Sequence, residues 1–135
     1  MRFEIPGKPF GKMRPRRGKI GVFDPKENAA YEKKVRESFK AEKGYIPEPI
    51  ESPIWINIVL YYAIPKHLAK KTREAMLAGK ILPTIKPDAD NCAKSILDAL
   101  NGFYYKDDKQ VVLMRVQKLY GETAKAIVDI GRYTQ

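Results

Sequence analysis

One cysteine and one histidine in 135 residues remove two chemistries at the outset. Cys92 has no partner for an internal disulfide, which leaves the redox compartment unconstrained and compatible with the cytosol. Together with His67 it falls short of the Cys and His set of an ordinary zinc site. No apolar run is long enough to span a membrane, and the N-terminus lacks the apolar core of a signal peptide. These features imply a cytoplasmic protein. Repeats, low-complexity tracts and linker-like stretches are also missing, so residues 1–135 read as a single domain.

What the chain has in excess is positive charge. Lys and Arg number 26 against 16 Asp and Glu, a net charge of +10. Such an imbalance favours a polyanionic partner, either nucleic acid or an acidic membrane surface. The charge is unevenly spread. Residues 1–43 carry 13 basic and 6 acidic residues, and residues 66–86 carry 6 and 1. Residues 87–135 carry 7 of each. The region that would grip phosphate is therefore distinct from the region richest in aspartate clusters.

Hydrophobic periodicity predicts the elements. Residues 2–5 alternate as a short strand. Residues 6–18 hold too much Pro and Gly for regular structure and read as a basic loop, and residues 19–23 give a second strand. Asp24-Pro25-Lys26-Glu27 predicts a helix start, with Asp24 as the cap and Pro25 in the first turn. Tyr31, Val35 and Phe39 form its apolar stripe, and Gly44 its stop. Pro47, Pro49 and Pro53 mark a connection. Residues 54–64 are apolar on both faces, which predicts a central strand covered on both sides. Helices are predicted over 67–78 and 90–101. Strands follow over 110–120 and 125–131, joined by a turn at 121–124. The order β-β-α-β-α-α-β-β implies an α+β fold around a mixed sheet.

The chemistry concentrates in residues 86–102. Asp90, Lys94 and Asp98 recur every four residues and share one helix face, while Cys92, Ile96 and Ala99 make an apolar stripe continued by Phe103. Asp88 can join Asp90 only from an extended approach before the helix, which Pro87 favours. Two carboxylates at a helix N-terminus suit a hard cation that shares phosphate oxygens with its substrate. A nearby lysine can offset charge that develops in phosphodiester hydrolysis. Set against this, an Asp at a helix start is often only a cap, and the four-residue spacing also describes surface ion pairs. A second acidic pair, Asp107-Asp108, precedes the strand at 110. It reads either as a solvated turn or as the source of a third carboxylate, Asp108.

Taken in order, Pro87-Asp88-x-Asp90-Asn91-x-x-Lys94, Asp98-Ala99-Leu100-Asn101-Gly102 and Asp107-Asp108-x-Gln110-Val111 resemble the RusA family of Holliday junction resolvases, found in bacteria and their phages. Gly7-Lys8-Pro9 through Arg14-Pro15-Arg16 is also similar, as is Pro65 followed by Lys70-Lys71, so the likeness extends over most of the chain. The resemblance implies a homodimeric endodeoxyribonuclease that cuts four-way DNA junctions by paired symmetrical nicks. It implies that Asp88, Asp90 and Asp108 are catalytic and hold Mg2+, with Mn2+ as a substitute, and that Lys94 is the catalytic-site lysine. Asn91 matches a motif position expected to orient Asp90 or the helix start. Asp98 fits the pattern without an assigned role. Cys92 stands where an aliphatic residue is more usual and reads as core packing.

Phosphate contacts are expected from Lys8, Lys12, Arg14, Arg16, Arg17 and Lys19 in the basic loop, and more weakly from Lys70 and Lys71. Phe10 reads as a junction wedge or as packing, Trp55 as core or dimer interface, and His67 as surface. Two other classes compete with the nuclease. A non-catalytic basic DNA- or RNA-binding protein explains the charge but not the aspartates beside it. A glycosyltransferase-like enzyme explains Asp88-x-Asp90, but the chain is short and no nucleotide-binding strand, loop and helix precede the motif.

Overall fold

The computed structural model describes residues 1–45 and 48–135; the expected turn at Pro47 lies outside them. The strands are β1 (Arg2–Pro6), β2 (Arg16–Gly18), β3 (Gly21–Phe23), β4 (Ile54–Ala63), β5 (Val111–Gly121) and β6 (Lys125–Arg132). The helices are α1 (Lys26–Lys43), α2 (Lys70–Leu77) and α3 (Ala89–Leu100), with a 3-10 turn at Asp108–Gln110. The architecture is α+β. Its main sheet runs β1-β6-β4-β5, and only the β4–β5 pair is parallel.

Strand alternation sets the core. Ile54, Ile56, Ile58, Leu60 and Tyr62 of β4 face inward, joined by Phe3 and Ile5 of β1 and Ala126, Val128 and Ile130 of β6. The stripe Tyr31, Val35 and Phe39 on α1 and the stripe Cys92, Ile96 and Ala99 on α3 close over this face. Phe39 sits edge-on to Phe3, Phe103 and Tyr104, with ring centroids 5.3–5.6 Å apart. Arg36 Nε donates to the Ala99 carbonyl at 2.8 Å, tying α1 to the last turn of α3.

The structure corrects several expectations. Residues 19–23 are not one strand. Arg16–Gly18 and Gly21–Phe23 form a hairpin closed by Lys19 and Ile20, and Gly21 takes the positive φ of 123° that such a tight turn needs. Helix α1 starts one residue later than its cap signal. Pro25 is the cap, and the Asp24 carboxylate accepts from Asn28 Nδ2 at 2.9 Å instead of from a backbone amide. Helix α2 begins at Lys70, and residues 67–69 remain outside it. The turn expected between β5 and β6 is present, and its residues 122–124 cross the end of β4, so that β6 pairs on the far side of β4.

The second face of β4 is not covered by helices. Trp55, Asn57, Val59 and Tyr61 are only half-buried, and α2 buries no residue. The apolar run of 54–64 therefore records one true core face and one mixed face. On the mixed face Trp55 lies so close over Gly131 that a Cβ there would sit 2.8 Å from the indole nitrogen. Edge strand β5 also exposes Val112, Leu113 and Met114.

Candidate active site

The approach to α3 is held from the sheet. Tyr62 of β4 donates its hydroxyl to the Pro87 carbonyl at 2.6 Å, and Lys118 of β5 donates to the Ile85 carbonyl at 2.5 Å. Asp88 follows in extended conformation (φ −70°, ψ 150°) as the residue before the helix. Its carbonyl accepts from the Cys92 amide at 3.0 Å, while its side chain makes no cap hydrogen bond. The Asp88 carboxylate takes part in no hydrogen bond or ion pair among the described residues and lines an open cavity of about 610 Å³ shared with Gly11, Lys12, Met13 and Asn91. Asp90 is exposed in the first helical turn, and its Oδ1 accepts from the Asn91 amide at 2.9 Å.

Further along the same face, Lys94 Nζ stands 3.2 Å from Asp98 Oδ1 and 3.9 Å from Asp108 Oδ2. Asp108 reaches this point because the segment before β5 is pinned on both sides. The Asp107 side chain accepts from the Lys109 amide, and Gln110 Oε1 accepts from the Asp107 amide, both at 2.9 Å. The Lys109 amide, above all, holds the Asp107 carboxyl below the usual carboxylate range. Gln110 Nε2 donates to the carbonyls of Ile50 and Ser52, and the Asp108 amide donates to Asn101 Oδ1 at 3.1 Å. Asp107 thus carries the local structure and leaves Asp108 to face Lys94.

The basic loop is fastened at two points. The Lys12 amide donates to the Asn91 carbonyl at 3.0 Å, and the buried Asn28 side chain brackets Met13. The Lys12 ammonium is not a free phosphate contact. It pairs with Asp98 at 2.9 Å and Glu32 at 3.3 Å. Partial burial works against its charge, but those two carboxylates outweigh burial and raise it above the usual lysine range. The remaining loop cations Lys8, Arg14, Arg16, Arg17 and Lys19 are exposed, as are Lys70 and Lys71. Lys70 lies 4.0 Å from Glu74. Phe10 stacks on Tyr31 with centroids 5.0 Å apart, so it packs and is not a free wedge. His67 is exposed. Cys92 is buried, and burial pushes its thiol up to about 11.

The structure therefore brings Lys94, Asp98, Asp108 and Lys12 together and leaves Asp88 and Asp90 at the helix start. Among the described residues no three His, Cys, Asp or Glu side chains form a ready-made metal cluster. The donor set still fits a hard cation: it is all oxygen, Asp88 is uncommitted, and Mg2+ is commonly held by one or two carboxylates with phosphate and water completing its octahedron. Asn28, Asn101, Gln110 and Tyr62 escaped functional assignment from sequence, because each acts by hydrogen-bonding a backbone group that only the fold brings near. Asn101 and Gln110 did stand inside the family-like motifs.

Comparison with known proteins supplies the family. The family model described as Endodeoxyribonuclease RusA matches residues 6–131. The chain is also 34% identical over 136 residues to a Bacillus subtilis (strain 168) protein named "Uncharacterized protein YqaN", covering 96% of this chain and 94% of that protein. Among the described residues, no helix is long and apolar enough to cross a membrane.

Proposed function

The chain belongs to the RusA endodeoxyribonuclease family, a nuclease family acting on Holliday junction DNA, and from that premise we propose that it resolves four-way junctions by paired symmetrical nicks in recombination and repair. The observation that carries the reading to particular residues is the lysine on the open face of α3. Lys94 lies within 4 Å of both Asp98 and Asp108, two turns or fewer from the carboxylates of Asp88 and Asp90 at the helix start.

In this reading Asp88, Asp90 and Asp108 hold Mg2+, with Mn2+ as a substitute. When bound, the ion supplies Lewis-acid stabilisation of the phosphorane charge and lowers the pKa of water. Lys94 places its ammonium where charge grows on the phosphate oxygens, in a position set before substrate arrives. Asp107, Asn101 and Gln110 keep Asp108 aimed at the same point. The free amides at the start of α3 favour the scissile phosphate over a neutral group. Lys8, Arg14, Arg16, Arg17 and Lys19 grip backbone phosphates, with Lys70 and Lys71 as a second patch.

A two-fold substrate is best met by a two-fold protein, so the acting species is a homodimer. The half-buried apolar side chains of the mixed sheet face and the exposed Val112, Leu113 and Met114 on the β5 edge support this, since an uncovered apolar edge strand invites a partner strand. The test of the residue assignments is junction binding against junction cutting. Asp90→Asn and Asp108→Asn should bind a synthetic four-way junction as well as wild type and cut it at least about 100-fold more slowly. Undiminished cutting by Asp90→Asn would remove Asp90 from the site.

A further inference from the structure

Charges alternate in sign along a path that crosses four segments. Glu32 of α1 meets Lys12 of the basic loop at 3.3 Å, and Lys12 meets Asp98 of α3 at 2.9 Å. Asp98 meets Lys94 at 3.2 Å, and Lys94 approaches Asp108 at 3.9 Å. The two oxygens of Asp98 are divided between partners: Oδ2 takes Lys12 and Oδ1 takes Lys94. Exposure is graded along this path. The Lys94 side chain is 55% exposed, while those of Lys12 and Asp98 are 24% and 19% exposed.

A solvated lysine and aspartate four residues apart on a helix hold each other weakly and in no fixed geometry. Asp98 is different, because its far oxygen is anchored. Lys12 is itself held by Glu32 and by its amide on the Asn91 carbonyl. We propose that Asp98 is the positioning residue for Lys94, an anchored carboxylate that holds the ammonium beside Asp108 without letting it settle there. This rests on the roles given above to Lys94 and Asp108.

The physical reason is competition. Without Asp98, the one acidic partner that Lys94 retains among the described residues is Asp108. A direct pair between them would occupy the oxygens needed for a cation and draw the ammonium away from the phosphate. A charged partner at 3.2 Å against one at 3.9 Å keeps Lys94 on the Asp98 side until substrate arrives. The same interaction makes the basic loop a part of the site, because Lys12 serves Asp98 and not a phosphate.

The experiment compares wild type, Asp98→Asn and Asp98→Glu on a labelled four-way junction. It measures single-turnover cutting at saturating enzyme with Mg2+, junction affinity with Ca2+ in its place, and the melting temperature of each protein. Asp98→Asn should cut about 100-fold more slowly, the scale expected when a reacting group is displaced by about an ångström, with affinity and melting close to wild type. Asp98→Glu restores the charge and should recover to within about tenfold of wild type. Cutting by Asp98→Asn at the wild-type rate, or a loss of rate that merely tracks a loss of folding in both variants, overturns the proposal. Should Asp98→Asn fail to fold, Asp98→Ser, which also removes the charge, decides in its place: slower cutting at unchanged affinity supports the assignment, and the wild-type rate overturns it. A wild type that cuts no junction overturns the nuclease reading and this inference together, whereas a cutting wild type with an indifferent Asp98 overturns only the inference.

Discussion

Asn28 and Met13 are joined by a matched pair of hydrogen bonds. Asn28 Oδ1 accepts from the Met13 amide and Nδ2 donates to the Met13 carbonyl, each at 2.9 Å. One side chain in the first turn of α1 thereby acts as a strand partner for the basic loop. Asn28 is almost fully buried, so its removal strands two backbone groups. Asn28→Ala should lower stability by about 2 kcal/mol, read from urea unfolding. It should also make the loop cut faster by trypsin after Lys12 and Arg16. An unchanged digestion pattern would mean that the loop is fixed elsewhere.

The loop cations should separate by salt dependence. Removing Arg16, Arg17 and Lys19 together should reduce the slope of log affinity against log salt by about 0.9 for each phosphate no longer neutralised. Lys12→Met should leave that slope unaltered, because its ammonium is already committed to Asp98 and Glu32. A fall in slope with Lys12→Met would return Lys12 to the phosphate-binding set.

Gln110 holds the turn that presents Asp108, through Ile50, Ser52 and Asp107. Gln110→Ala should therefore slow single-turnover cutting about tenfold or more while leaving junction affinity intact. Equal losses of rate and affinity would instead indicate a general loosening of the β5 start.

Alkaline pH should destabilise the fold through Cys92. Its thiol is pushed by burial from 9.0 up to about 11. Between those values the unfolded chain has released the proton and the native chain retains it, so stability falls as pH rises. Lys12, also raised, contributes in the same direction, its stabilisation being lost as pH climbs through its folded value. Urea titrations at pH 8 and pH 10 should show the decline, and Cys92→Ala should lessen it. Native Cys92 should also alkylate far more slowly than the unfolded thiol at pH 8.

Much of this arrangement was legible in the sequence. The four-residue spacing of Tyr31, Val35 and Phe39 gave the buried stripe of α1, and Pro87 before Asp88 gave an extended approach to α3. What was hidden depends on contacts between distant segments. Lys12 looked like any other loop cation, because its partners Glu32 and Asp98 lie 20 and 86 residues away. The 54–64 run reads as covered on both faces because apolarity alone does not separate a fully buried face from one that is only partly buried. The hairpin at 16–23 was missed because each strand is only three residues long and wholly exposed, so no burial pattern marks it.

A labelled four-way junction, beside linear duplex of the same sequence, incubated with and without Mg2+ and with wild type or Asp90→Asn, separates a junction nuclease from a basic DNA-binding protein. A junction nuclease leaves paired symmetrical nicks on the junction alone, lost on chelation and lost in the variant. Tight binding with no cutting under any of these conditions would contradict it, leaving a basic DNA-binding protein whose aspartates are surface charge.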